Sequence, residues 1–102
     1  MQYTVEGFFD FPFSNDVNAM IEYRYDTQLL IEGKKLDEDK IYDYFVENFI
    51  GDSLLAVGDE ELIKIHYHTN EPWKVLEYCA SLGEIYDIVV EDMDRQSRGL
   101  QG

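Results

Sequence analysis

The chain's two histidines, His66 and His68, stand one residue apart in the run Ile63-Lys64-Ile65-His66-Tyr67-His68-Thr69. In an extended strand, residues i and i+2 project to the same side, so the two imidazoles lie next to each other. A carboxylate on a neighbouring antiparallel strand comes within ~5 Å across the ladder, and Asp26 sits in the segment best placed to supply one. Two imidazoles and a carboxylate form a competent ligand set for zinc or a similar divalent ion, with a fourth position open to water or a partner's side chain. Taken alone, His-x-His equally suits a wet polar sheet face, and Lys64 on the same side disfavours a cation nearby.

Other chemistry-bearing residues point elsewhere. Cys79 falls on the apolar stripe of a helix and reads as an inert core residue. Trp73 suits either a surface anchor or a packing role. Glu60-Glu61 and Glu91-Asp92 read as solvated loop charges, and Asp37-Glu38-Asp39 suits a helix start and its dipole. The sequence holds no Gly-rich phosphate loop, no Gly-x-Ser-x-Gly elbow and no nucleophile paired with a base.

The elements that must position His66, His68 and Asp26 follow from periodicity. Ile21 to Glu32 alternates, with Ile21, Tyr23, Tyr25, Thr27, Leu29 and Ile31 on one face, which predicts a half-buried strand. Asp37 is a good N-cap, Leu36 and Ile41 can staple, and Ile41, Tyr44, Phe45 and Phe49 make a helical stripe closed by Gly51. Ser53–Val57, a Gly58-Asp59-Glu60 turn and Leu62–Thr69 read as a hairpin. A second helix opens near Pro72, with Val75, Leu76, Cys79 and Ala80 inward and Gly83 as its C-cap. Ile85–Val90 is the last strand. This order, β-α-β-β-α-β, predicts a ferredoxin-like two-layer α+β sandwich, its antiparallel sheet ordered 4-1-3-2 with both helices on one face.

The chain has 102 residues, 22 acidic against 8 basic side chains, and a net charge of −14. That charge repels phosphate backbones and anionic membranes, so nucleic-acid binding is not expected. One cysteine forms no intrachain disulfide, and no apolar run reaches the ~20 residues of a membrane span. The first twenty residues carry no Lys or Arg, unlike a secretory signal. These features fit a cytoplasmic protein. Three regions are expected: an aromatic-rich arm or linker at 1–20, the ferredoxin-like domain at 21–93 and a polar, fraying tail at 94–102.

Several segments carry a family resemblance in sequence order. They are Tyr25-Asp26-Thr27-Gln28-Leu29-Leu30-Ile31-Glu32-Gly33, Gly51-Asp52-Ser53-Leu54-Leu55-Ala56-Val57-Gly58-Asp59 and the His66-Tyr67-His68-Thr69-Asn70-Glu71-Pro72 run. Lys74-Val75-Leu76-Glu77-Tyr78, Gly83-Glu84 and Glu91-Asp92-Met93-Asp94-Arg95-Gln96 continue it. Over residues 21–96 the chain resembles the central domain of bacterial fatty acid kinase A proteins. That family belongs with the dihydroxyacetone-kinase-related DAK2 (DhaL) fusion proteins, some of them linked to a DegV-type domain.

The resemblance implies a kinase whose ATP-binding domain phosphorylates a fatty acid held by a DegV-type partner. ATP and Mg²⁺ would belong to that domain, outside these 102 residues, so this chain alone is expected not to transfer phosphate. The central domain would join the parts and form a homodimer. Family members bind zinc there through a Cys and two histidines; the histidines correspond to His66 and His68, and Asp26 stands at the Cys position. Carboxylate holds zinc less tightly than thiolate at such a site. Two other functions compete with this one. The first is a small-molecule-sensing ferredoxin-like regulatory module. The second is a small metal-dependent hydrolase using Asp26, His66 and His68, for which no general base is evident.

Overall fold

Thr27, Leu29 and Ile31 are buried while Gln28 and Leu30 between them are half-exposed, so alternation in the sequence becomes an inner and an outer sheet face. A computed structural model describes residues 21–102, and the expected aromatic arm at 1–20 lies outside the described residues. The elements are β1 (Tyr25–Glu32), α1 (Glu38–Asn48), β2 (Gly51–Gly58), β3 (Leu62–Thr69), α2 (Pro72–Leu82), β4 (Glu84–Asp92) and α3 (Met93–Ser97). Every strand pairing is antiparallel and the order is β2-β3-β1-β4, which is the ferredoxin-like arrangement the sequence predicts.

The helices form because each presents one apolar stripe to the sheet. Asp37 caps α1 by accepting from the Lys40 N–H, and the stapling pair Leu36 and Ile41 is buried. Ile41 and Phe45 of α1 and Val75 and Cys79 of α2 join Leu29, Ile31, Ala56, Ile63, Ile65 and Tyr67 in one core. Both helices therefore cover the same face. The opposite face carries Asp26, Gln28 and Leu30 of β1, Lys64, His66 and His68 of β3, and Leu55 and Val57 of β2, as the register requires.

Several boundaries differ from expectation for physical reasons. β1 starts at Tyr25 rather than Ile21, because the Arg24 N–H donates to Asn70 Oδ1 at 2.8 Å and the Arg24 carbonyl accepts from Met93 at 2.8 Å. Gly51 does not close α1. It opens β2, where a Cβ would collide with the His68 carbonyl oxygen. Gly83 is the C-cap of α2 as expected, but it is extended rather than left-handed, and a Cβ there would collide with the Glu32 carbonyl oxygen. Ala80 is exposed, and Tyr78 takes the packing role instead by stacking on Tyr44 at 3.8 Å between ring centroids. Trp73 is a surface residue, 59% exposed. Asp92 is buried rather than a solvated loop charge; it ends β4 and caps α3, a helix that periodicity does not reveal.

Candidate metal centre

Register decides which side chains meet. In the β1–β3 pairing Asp26 lies opposite His68 and Gln28 opposite His66. Asp26 is thus the direct cross-strand neighbour of one imidazole and the diagonal neighbour of the other. Both Nε2 atoms approach the same carboxylate oxygen, Asp26 Oδ1, at 3.1 Å from His66 and 3.7 Å from His68. The imidazole centroids are 4.8 Å apart, and one donor atom from each of Asp26, His66 and His68 lies within 4.8 Å of the others. All three side chains are half-buried. Gln28 Nε2 donates to Asp26 Oδ2 at 3.3 Å and so helps to orient the carboxylate.

The far ring nitrogens are held by β2. His66 Nδ1 lies 2.9 Å from the Ser53 carbonyl oxygen, and His68 Nδ1 lies 3.4 Å from Asp52 Oδ1. An extra residue between Asp52 and Leu55 makes this possible, with Ser53 at φ 57°, in the left-handed region. A carbonyl oxygen only accepts, so His66 Nδ1 carries the proton. With its one proton at Nδ1, a neutral imidazole has only a lone pair at Nε2. A lone pair facing a carboxylate oxygen at 3.1 Å is repulsive unless a proton or a cation lies between them. A protonated imidazole satisfies that contact as an ion pair; a divalent ion satisfies it through two imidazole nitrogens and a carboxylate, with carbonyl or carboxylate partners behind the rings.

The local charge favours a cation. Glu91 pairs with Asp26 in the β1–β4 register, and Asp52 stands on the other side of His68. Lys64 shares the face but pairs with Leu30 and Val57, one pair further along the strand from His66. Cys79 is not part of the site: it is fully buried under α2, and burial pushes its thiol up to about 12. A cleft of about 310 Å³ lies between α1 and β2, lined by Tyr42, Val46, Phe49 and Tyr67 among others, and neither histidine lines it.

Alternation in the sequence brings together Asp26, His66 and His68, and the structure places all three on the open face. It does not point to Asp52 or the Ser53 carbonyl, and it puts Gln28 on that face without revealing its contact with Asp26. Counting back by twos from the buried Ala56 assigns Asp52 to the helix-covered face. The inserted residue reverses that assignment, and no glycine marks the left-handed position.

A family model described as the FakA-like middle domain of fatty acid kinase matches residues 22–100. Uncharacterized proteins of Staphylococcus aureus strains USA300, COL and Mu50 are each 37% identical to the chain over 81 residues, 76% of this chain and 15% of the relative. The chain thus spans about 15% of the length of the curated relatives it matches.

Proposed function

The chain belongs to the family of FakA-like middle domains of fatty acid kinase, and from that premise we propose that it is a non-catalytic accessory domain of an ATP-dependent kinase that phosphorylates a fatty acid held by a DegV-type partner. The observation that carries this reading is the family match, which takes in every described strand and helix. The small share of the relatives' length that the chain spans supports placing nucleotide binding in other parts of a longer polypeptide. Its place is the cytoplasm, in keeping with its single, buried thiol.

In this reading Asp26, His66 and His68 hold a divalent ion, zinc in the first instance. Bound there, the ion supplies a cross-link between β1 and β3 and a Lewis-acidic position facing outward. A second copy of the chain packs against the same open face, to which the register assigns the exposed Leu55, Val57, Leu62, Tyr86 and Val89.

The test has three arms. The chain mixed with ATP, Mg²⁺ and a fatty acid forms no acyl phosphate, whereas the longer polypeptide carrying it does so with a DegV-type protein present, and loses this activity on deletion of residues 21–97. Acyl phosphate made by the chain alone, or unaltered turnover after the deletion, overturns the accessory role. Elemental analysis finds one zinc per chain, lost in His66→Ala; a metal-free wild type overturns the site. Light scattering finds a dimer, and a monomer at high concentration overturns the self-association.

A further inference from the structure

We propose that Asp52 and the Ser53 bulge are positioning elements that preset both imidazoles in the Nδ1–H tautomer before any ion arrives. The inference rests on the metal reading above and deepens it. Free imidazole side chains in water favour the opposite tautomer, with the proton on Nε2, and a ring in that state offers no Nε2 lone pair to an ion. The protein must bias the tautomer from the far side of each ring, and it does so with two acceptors from one short stretch of β2. The Ser53 carbonyl oxygen sits 2.9 Å from His66 Nδ1, and Asp52 Oδ1 sits 3.4 Å from His68 Nδ1. Neither acceptor can donate, and each lies nearer its ring than Asp26 Oδ1 does on the Nε2 side, at 3.1 and 3.7 Å, so each favours the proton on Nδ1; the Nε2 lone pairs then face the carboxylate, a repulsion that an arriving ion relieves.

The two acceptors depend on a single distortion. Without the inserted residue, alternation would turn the Asp52 side chain to the covered face and remove it from His68. Ser53 is held at φ 57°, a conformation that an L-residue adopts at a cost, and its carbonyl meets His66 there. The distortion thus serves both histidines at once. Asp52 is the part of this device that mutation can probe cleanly, since its side chain is 58% exposed and its removal leaves the core untouched.

Long-range ¹H–¹⁵N correlation spectra of the metal-free chain read the tautomer of each ring. The wild type shows both rings protonated at Nδ1. Asp52→Ala shifts His68 toward the Nε2–H form and leaves His66 unchanged. Asp52→Asn, whose amide oxygen still accepts, restores the wild-type pattern. Zinc affinity, measured by chelator competition, falls about 10- to 100-fold in Asp52→Ala, the usual effect of removing an outer-shell partner, and recovers in Asp52→Asn. An Nε2–H His68 in the wild type, an unshifted tautomer in Asp52→Ala, or equal zinc affinity of wild type and Asp52→Ala overturns the proposal. A wild-type chain that takes up no zinc defeats the metal reading instead, and the metal-free spectra still decide the tautomers.

Discussion

The Arg24 guanidinium grips the Asp92 carboxylate with Nε 3.0 Å from Oδ1 and 2.9 Å from Oδ2, and with Nη2 2.8 Å from Oδ2. Asp92 Oδ1 also accepts from the Arg95 N–H at 3.0 Å, so one carboxylate anchors the lead-in to β1 and caps α3. The start and the end of the described chain are joined here.

That contact predicts how stability responds to acid. The hydrogen bond from Arg24 is the main cause holding the Asp92 carboxyl below its ordinary range. A carboxyl whose folded value is depressed contributes stability above its unfolded value, ~3.9, and loses it as pH falls through the folded value. Asp92→Asn keeps the capping oxygen and removes the charge. Urea midpoints taken from pH 7 down to pH 2 should show wild type above Asp92→Asn at neutral pH, with the gap closing below about pH 4. A gap that stays constant across the range would mean the charge is not responsible.

Phe45 and Trp73 predict opposite tolerances. Phe45 is fully buried, its ring centroid 5.0 Å from that of Phe49 and 5.1 Å from that of Tyr67. Phe45→Ala should cost about 3–5 kcal/mol through lost burial and an unfilled cavity. Trp73 is largely exposed at the start of α2, and Trp73→Ala should stay within about 0.5 kcal/mol of wild type. Urea unfolding of both variants makes the comparison, and equal losses would contradict the placement of the core.

Both the fold and the convergence of the three candidate ligands are legible in the sequence because period-two alternation survives in β1 and β3, the two central strands. Once Leu29 and Ile65 must face the helices, Asp26, His66 and His68 must face away. What stays hidden depends on partners distant in sequence. Gly51 looks like a helix cap yet opens β2, whereas Gly83 does cap α2; each is required by the close approach of a strand carbonyl. Asp92 looks like a loop charge until Arg24 is found 68 residues away. The Asp52–Ser53 insertion breaks alternation on an edge strand, and a serine at a positive φ gives no local sign of it.

Cys79 should be chemically silent while the chain is folded. Burial alone pushes its thiol up to about 12, and the side chain is fully enclosed. The thiolate is the reactive species, so both its scarcity and its inaccessibility suppress alkylation. At pH 8 a thiol reagent should leave the native chain unlabelled and label it once in urea. Rapid labelling without denaturant would show that α2 opens readily from the sheet.

In the proposed metal site, Asp26 is the position at which ligand chemistry can be tuned. Its Oδ1 is the oxygen that both Nε2 atoms face, at 3.1 and 3.7 Å. Carboxylate suits harder ions such as magnesium and manganese, whereas thiolate favours zinc. Cysteine has a shorter side chain than aspartate, but zinc–sulfur bonds, near ~2.3 Å, are longer than zinc–oxygen bonds, near ~2.0–2.2 Å, and offset part of the lost reach. Asp26→Cys should therefore bind zinc more tightly than wild type and discriminate more strongly against manganese. Asp26→Asn, which removes the negative charge, should bind zinc more weakly than either. Chelator competition ranks the three proteins, and an Asp26→Asn chain that matches wild type would remove the carboxylate from the ligand set.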